Sequence, residues 1–317
     1  MSVDPRQLRD LAAETGFRAE TLEKVIRLGE VAGDVARHPL LSRALVLKGG
    51  PAINLCFGEP RRLSVDLDYN YVGNLQKDAM VAARPEVERA LHTIAQGRGY
   101  SFQQSAVEHG GRKLFLGYRN SAGTLDRIEV DVNYLYRLPL ADTKSLALWQ
   151  PPRVEQPVVS VVGPEELVGG KLVAFLDRVA PRDAYDVNRL PSVEALRWMS
   201  PRMRQVFLAM STVLPHPVHT YRQERLSRLT AQRIETELAP MLARTEATEA
   251  SLLTATAWST VKPLLELSED EKRFVDLANQ GELEPGLIAG GDAAFASTLG
   301  RHPAILWKVE NARRHRG

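Results

Sequence analysis

The stretch LKGGPAINLCFGEPRRLSVDLDY, residues 47–69, decides how this chain folds. A short β-type run, Ala44-Leu45-Val46-Leu47, stops at Gly49-Gly50, and Pro51 suits the first turn of a new helix. Where a strand gives way to a helix, the first N–H groups lack intrahelical partners and the dipole is positive, so the turn favours phosphate. Glycine lets the backbone come close to it. After a spacer of fifteen residues comes Asp66-Leu67-Asp68, inside a segment from Val65 to Val72 that alternates polar and apolar residues. The alternation predicts a strand with Asp66, Asp68 and Asn70 on one face. Two carboxylates so close repel unless neutralised, and a hard divalent cation shared with substrate phosphates neutralises them.

Outward from this segment the periodicity predicts a helix over 18–38, where Leu22, Val25, Ile26, Val31 and Val35 recur at helical spacing, and another over 77–98. Three strands are expected at Ser101–Val107, Lys113–Tyr118 and Leu125–Tyr136. In the last, Glu129, Asp131 and Asn133 share one face and Ile128, Val130 and Val132 the other. Asp131 is the best third carboxylate, with Glu129 its substitute. Three such acids on neighbouring strands suit two Mg2+ ions, or Mn2+, clamping the attacking and leaving oxygens of a phosphoryl transfer.

The composition changes near Gln150-Pro151-Pro152. Past a short strand, Val158–Val162, the pattern is helical almost to the end, beginning at Gly163-Pro164-Glu165-Glu166 with proline early and acids in the first turn. The expected fold is an α/β (α+β) lobe with a mixed sheet over residues 1–155 and a mostly α-helical lobe over 156–317.

The 317 residues, 44% apolar and 25% charged, are those of a globular protein with a sizeable core. No run of about 18 apolar residues occurs, so no membrane span is expected, and the polar N-terminus lacks a secretory pattern. A lone cysteine, Cys56, in the apolar run Ile53–Phe57 reads as core filler and suits a reducing cytoplasm. The seven histidines show no zinc spacing, and no G-x-x-x-x-G-K-[ST] loop is present. Net charge is only +2, yet residues 197–233 hold seven arginines against Glu224 alone, while 235–292 hold twelve acids and four bases. With the tail Arg313-Arg314-His315-Arg316, this segregation suggests a patch for a polyanion or, equally, solvated helix faces.

Gly-Gly, the spacer and Asp-x-Asp resemble the signature of the DNA polymerase β-type nucleotidyltransferases. More closely, "LKGGPAINLCFG…RRLSVDLDY", "IEVDVNYLYRLPL" and "PEELVGGKLVAFLDRVAPRDAYDV" resemble the AbiEii family of type IV toxin–antitoxin systems, which includes the mycobacterial MenT enzymes. The resemblance runs over roughly residues 43–190; Pro51 replaces a small polar residue, and the spacer is slightly long. It implies a Mg2+-dependent nucleotidyltransferase toxin that moves a nucleoside monophosphate from an NTP, a pyrimidine and CTP above all, to the 3′ CCA end of tRNA. Aminoacylation is then blocked.

It also implies a cognate antitoxin, from an adjacent gene, and a helical lobe that closes the site and binds the acceptor. Asp66, Asp68 and Asp131 are the implied metal ligands. Ser64, with Arg62, corresponds to the family's R-x-S-x-D-x-D motif near the nucleotide phosphates. Lys171 matches the G-K-L lysine and would neutralise the triphosphate. Asp183 and Asp186 match an R-D-x-Y-D segment that contributes an aspartate. Lys48, Gly49, Gly50 and Arg137 complete the phosphate-binding candidates. The alternatives are transfer to a protein or small-molecule hydroxyl, a non-catalytic nucleotide- or RNA-binding module, and a protein whose main task is to bind an antitoxin.

Overall fold

The computed structural model describes residues 4–106, 110–246 and 248–314. The first part of the chain forms α1 (Pro5–Thr15), α2 (Ala19–Arg37), α3 (Leu41–Ala44), β1 (Leu45–Lys48), α4 (Gly49–Cys56), β2 (Asp66–Tyr71) and α5 (Lys77–Gly97). It continues with β3 (Ser101–Gln104), β4 (Gly111–Arg119), β5 (Leu125–Asn133), β6 (Lys144–Ala147) and β7 (Val158–Val161). The remainder is helical: α6 (Pro164–Arg178), α7 (Pro181–Arg189), α8 (Pro201–Ser211), α9 (Ala231–Glu237), α10 (Ala250–Leu265), α11 (Glu269–Asn279), α12 (Ala293–Gly300) and α13 (Pro303–Arg314), joined in places by 3-10 turns.

The seven strands make one mixed sheet in the order β3-β4-β5-β2-β1-β7-β6. β2 runs parallel to β5 and β1 parallel to β7, whereas β1–β2, β3–β4, β4–β5 and β6–β7 are antiparallel. The expected α/β lobe with a mixed sheet, followed by helices, is what the chain forms. Alternation gives the sheet one apolar face: Leu47, Leu67, Leu114, Val130, Val132 and Val161 are fully buried there. Each such side chain contributes on the order of 1.5–3 kcal/mol by leaving water. Helix α2, with Leu22, Val25 and Leu28 buried, packs against β2, β5 and β7.

Three elements escaped the sequence reading: α1, the four-residue α3 and β6. In α1 only Leu8, Leu11 and Ala12 are buried within a polar run, so its stripe is faint, and capping defines it instead. Asp4 accepts from Arg6 N at 3.0 Å, and Gly16 closes the C-terminus at φ 74°. Strand β6 is a mostly exposed edge without alternation. The strand expected to reach Tyr136 ends at Asn133, whose Oδ1 accepts from Leu135 N at 2.8 Å and Tyr136 N at 3.0 Å. That side chain offers the backbone a local turn in place of the ladder. β3 stops at Gln104, and Val107 lies outside the described residues.

The fold divides into two compact units. Among the described residues the first holds those up to Arg137 together with 143–162 and 239–246; the second holds 138–142, 163–238 and those from 248 on. Residues 239–246 join the sheet-bearing unit through Leu63 N to Met241 O (2.8 Å), Ala243 N to Arg61 O (3.2 Å) and Arg244 N to Gly16 O (2.9 Å). In the helical unit α6 packs on α8, and α7 on α10. A Cβ on Gly169 would lie 3.3 Å from Phe207 Cα and 3.2 Å from Met210 Sδ, so this glycine serves close helix packing. Among the described residues no helix is long and apolar enough to cross a membrane.

Candidate active site

The diglycine turn and the carboxylate strand meet. Gly49 adopts φ +69°, a left-handed conformation that costs glycine nothing. A Cβ there would strike the Asp68 carboxylate and lie 3.1 Å from Asp68 Cβ. One on Gly50 would lie 2.7 Å from Ser64 Oγ and 3.3 Å from Arg62 Nη2. The strand-to-helix turn therefore needs both glycines bare, and Asp68, Ser64 and Arg62 line it. Ser64 and Arg62 are buried, and Arg62 Nη1 donates to Leu63 O at 2.8 Å.

Strand register assembles the charges. Lys48 stands opposite Asp68, Asp68 opposite Asp131, and Asp131 opposite Lys113. Directly opposed residues project to one face, so a Lys-Asp-Asp-Lys row crosses β1, β2, β5 and β4. Asp66 stands opposite Glu129 on the same face, two residues along. Lys113 Nζ pairs with the Glu129 carboxylate. Burial pushes the Asp131 carboxyl above the usual carboxylate range, Lys48 and Lys113 pull it back, and Asp68 and Glu129 add to the rise. The Lys113 ammonium is held above the ordinary lysine value, chiefly by its hydrogen bond to Glu129 and further by Asp131 and Asp66.

These oxygen donors are of the kind a Mg2+ ion takes. Among the described residues no group of three or more His, Cys, Asp or Glu is gathered to hold a metal ion. The register explains this: Asp68 meets Asp131, but Asp66 meets Glu129, and lysines flank the row at both ends. The donors fit a divalent cation in chemistry and in face, and would have to draw together around it.

Arg137 is buried, with Nε donating to Leu75 O at 3.0 Å and Nη1 to Tyr134 O at 2.5 Å, so its partners are main-chain oxygens. Burial lowers its pKa. Lys171, Asp183 and Asp186 belong to the helical unit. There Lys171 Nζ bridges Asp183 Oδ1 and Asp186 Oδ2, each at 2.8 Å, with its side chain only 5% exposed. Arg178 adds bonds of 2.6 and 3.0 Å to Asp183. Although burial alone would raise it, Lys171 and Arg178 hold the Asp183 carboxyl down at about 2. Cys56 has its thiol pushed up to about 12 by burial, which suits core filling and not nucleophilic work.

In the helical unit the segregated charges are partly paired. Arg202 pairs with Asp292 (2.5 Å), Arg204 with Glu271 (2.6 Å), Arg197 with Glu165 (3.2 Å) and Arg233 with Glu237 (2.7 Å). Folding brings three of these arginines against acids distant in sequence and Arg233 against a neighbour on its own helix, so four of them carry an acidic partner. His315 and Arg316 of the basic tail lie outside the described residues.

Lys113 was not singled out from the sequence. Its strand was legible, but only pairing with β5 shows that it stands against Asp131, and a single strand carries no signal of its partner's register.

Comparison with known proteins identifies the family and the fold. The family model "Nucleotidyl transferase AbiEii toxin, Type IV TA system" matches residues 34–259. Among solved structures, MenT4, a nucleotidyltransferase toxin of Mycobacterium tuberculosis, superposes with a TM-score of 0.57 at 19% identity, covering 96% of this chain and 97% of its own. At that identity it shows the fold alone. A protein of H. pylori assigned as a nucleotidyltransferase gives a TM-score of 0.45 at 12% identity, over 77% of this chain and 93% of its own, too distant to carry an argument. No curated protein matches the chain. The family match spans most of the sequence, including the diglycine turn, every acid of the row and the Lys171 cluster, and the chain belongs to the AbiEii family of nucleotidyl transferase toxins of type IV toxin–antitoxin systems.

Proposed function

We propose that this protein transfers a nucleoside monophosphate from an NTP, with CTP the preferred donor, to the 3′ CCA end of tRNA, and that the blocked aminoacylation halts translation in the cytoplasm. The observation that supports it most is the carboxylate row on the face where the bare Gly49-Gly50 turn meets Asp68. Gly49, Gly50 and Ser64 cradle the phosphates, with Lys48 and Arg62 offsetting charge. Asp66, Asp68 and Asp131 would hold Mg2+, or Mn2+, which when bound would supply a lowered pKa for the acceptor hydroxyl and an offset for charge at phosphorus. The acceptor hydroxyl gives its proton to solvent as its oxygen forms a bond to the α-phosphorus, the bond from that phosphorus to the bridging oxygen breaks, and pyrophosphate leaves with the electron pair. Lys171, seated between Asp183 and Asp186, keeps the helical unit in the form that takes up the acceptor. An antitoxin, encoded beside it, holds the activity in check.

The test is incubation with total tRNA, Mg2+ and each labelled triphosphate in turn, read on a gel, with a parallel incubation offering protein. Label on tRNA, strongest with CTP, is expected. Label on protein alone moves the acceptor to a protein hydroxyl, and no metal-dependent pyrophosphate release at all leaves only a binding module. In cells, wild-type expression slows growth and Asp66→Ala expression does not; equal toxicity of the two overturns catalysis as the cause.

A further inference from the structure

A triphosphate brings about four negative charges to a face that already carries Asp66, Asp68, Glu129 and Asp131. Cations on that face must answer for part of this, and few are placed to do so. Arg62 lines the diglycine turn, while Arg137 serves two main-chain oxygens and Lys171 is enclosed by two aspartates. Lys48 closes one end of the row. Lys113 closes the other: its side chain is 51% exposed, it stands opposite Asp131, and it is tied to Glu129.

An exposed Lys–Glu pair is ordinarily worth little and needs no function. This pair differs in its place. Its carboxylate sits on the acid face, and its ammonium is at once a counter-ion to that face and within reach of solvent, where a phosphate arrives. We infer that Lys113 is a phosphate-binding residue of this site, and that Glu129 positions it by holding the ammonium over the row until the triphosphate takes it. The inference rests on the nucleotidyl-transfer reading above. In the free protein Lys113 competes with a divalent cation for the same acids. With nucleotide bound, it serves the phosphates instead.

That dual role makes Lys113→Ala act in opposite directions on two ligands, which loss of structure cannot do. Binding is measured on the full chain without turnover. Mn2+ alone is followed by its electron paramagnetic resonance signal, and an α,β-methylene nucleoside triphosphate with saturating Mg2+ is followed by calorimetry. Lys113→Ala is expected to weaken the triphosphate analogue about tenfold, leave the matching monophosphate nearly unchanged, and tighten Mn2+ severalfold. Lys113→Arg restores most of the triphosphate affinity. Glu129→Gln, which frees the ammonium while keeping the side-chain shape, leaves triphosphate binding as tight as in wild type or tighter. Unchanged triphosphate binding in Lys113→Ala, or weakening of both ligands together, overturns the assignment while wild-type binding keeps the transferase reading standing. Wild-type protein that takes up no triphosphate overturns both.

Discussion

At the scale of single residues, the chain holds half-buried acids on the sheet and acids that are sealed in within the helical unit. Asp68 is the sharpest case of the first kind, because it touches the diglycine turn and stands opposite Asp131. Asp68→Asn keeps the shape and removes the charge, so nucleotidyl transfer is expected to fall at least about 100-fold with the urea midpoint of unfolding preserved. Lys171 is the opposite case. Lys171→Ala leaves Asp183 and Asp186 buried without their shared cation, and breaking such a cluster costs about 3–5 kcal/mol. Its urea midpoint should drop accordingly, and an inactive Lys171→Ala protein with an unmoved midpoint would instead place the lysine in the chemistry. The same cluster sets an acid limit. Asp183 titrates at about 2 when folded, below its ordinary 3.8, so its contribution is fully present above about pH 4 and is lost as pH falls through 2. One such shift amounts to roughly 2 kcal/mol. Acid titration of stability in wild type and Asp183→Asn measures it, the variant showing a flatter curve between pH 4 and 2.

At the scale of elements, two glycines do different work. Gly49 permits a left-handed turn and the approach of Asp68, so Gly49→Ala combines backbone strain of about 1–3 kcal/mol with a displaced carboxylate. Both the melting temperature and the transfer rate should fall. Gly169, inside α6 and two residues before Lys171, lets α6 meet α8. Gly169→Val should cost about 1–3 kcal/mol by overpacking. Nucleotide affinity in the sheet-bearing unit should be retained, as analogue binding at a temperature where the variant is folded would show. This contrast marks what the sequence makes legible. β1, α4, β2 and β5 were readable because a stop signal, a proline and strict alternation fall within single segments. The face holding Asp66, Asp68 and Asp131 follows from the same period of two. Lys113 opposite Asp131, the joining of residues 239–246 to the first unit, and the bridging of Asp183 and Asp186 by Lys171 were not readable. Each is a pairing between segments, fixed by register or tertiary contact and carrying no local pattern.

At the scale of the whole molecule, charge is where linear reading and folded structure part most. Seven arginines in residues 197–233 suggest a polyanion patch, and pairing within the fold removes four of them from easy use: Arg197, Arg202, Arg204 and Arg233. The pairing of Arg204 also holds Glu271 below the ordinary carboxylate range, and the Phe295 N–H together with Arg202 does the same for Asp292, so both acids remain charged partners well below neutral pH. This has a measurable consequence for an RNA acceptor. Binding to a single-stranded end loses about 0.7 of a power of salt concentration for each phosphate neutralised. Seven free arginines would give a slope of log Kd against log salt near 5, whereas the three with no acidic partner among the described residues, Arg222, Arg225 and Arg228, give about 2. We therefore expect a shallow slope, near 2, for tRNA binding at neutral pH. Arg222→Ala with Arg228→Ala should flatten it further, and Arg202→Ala should leave it unchanged. A slope near 5 would mean that the internal pairs open when RNA binds, and would return the whole segment to the interface.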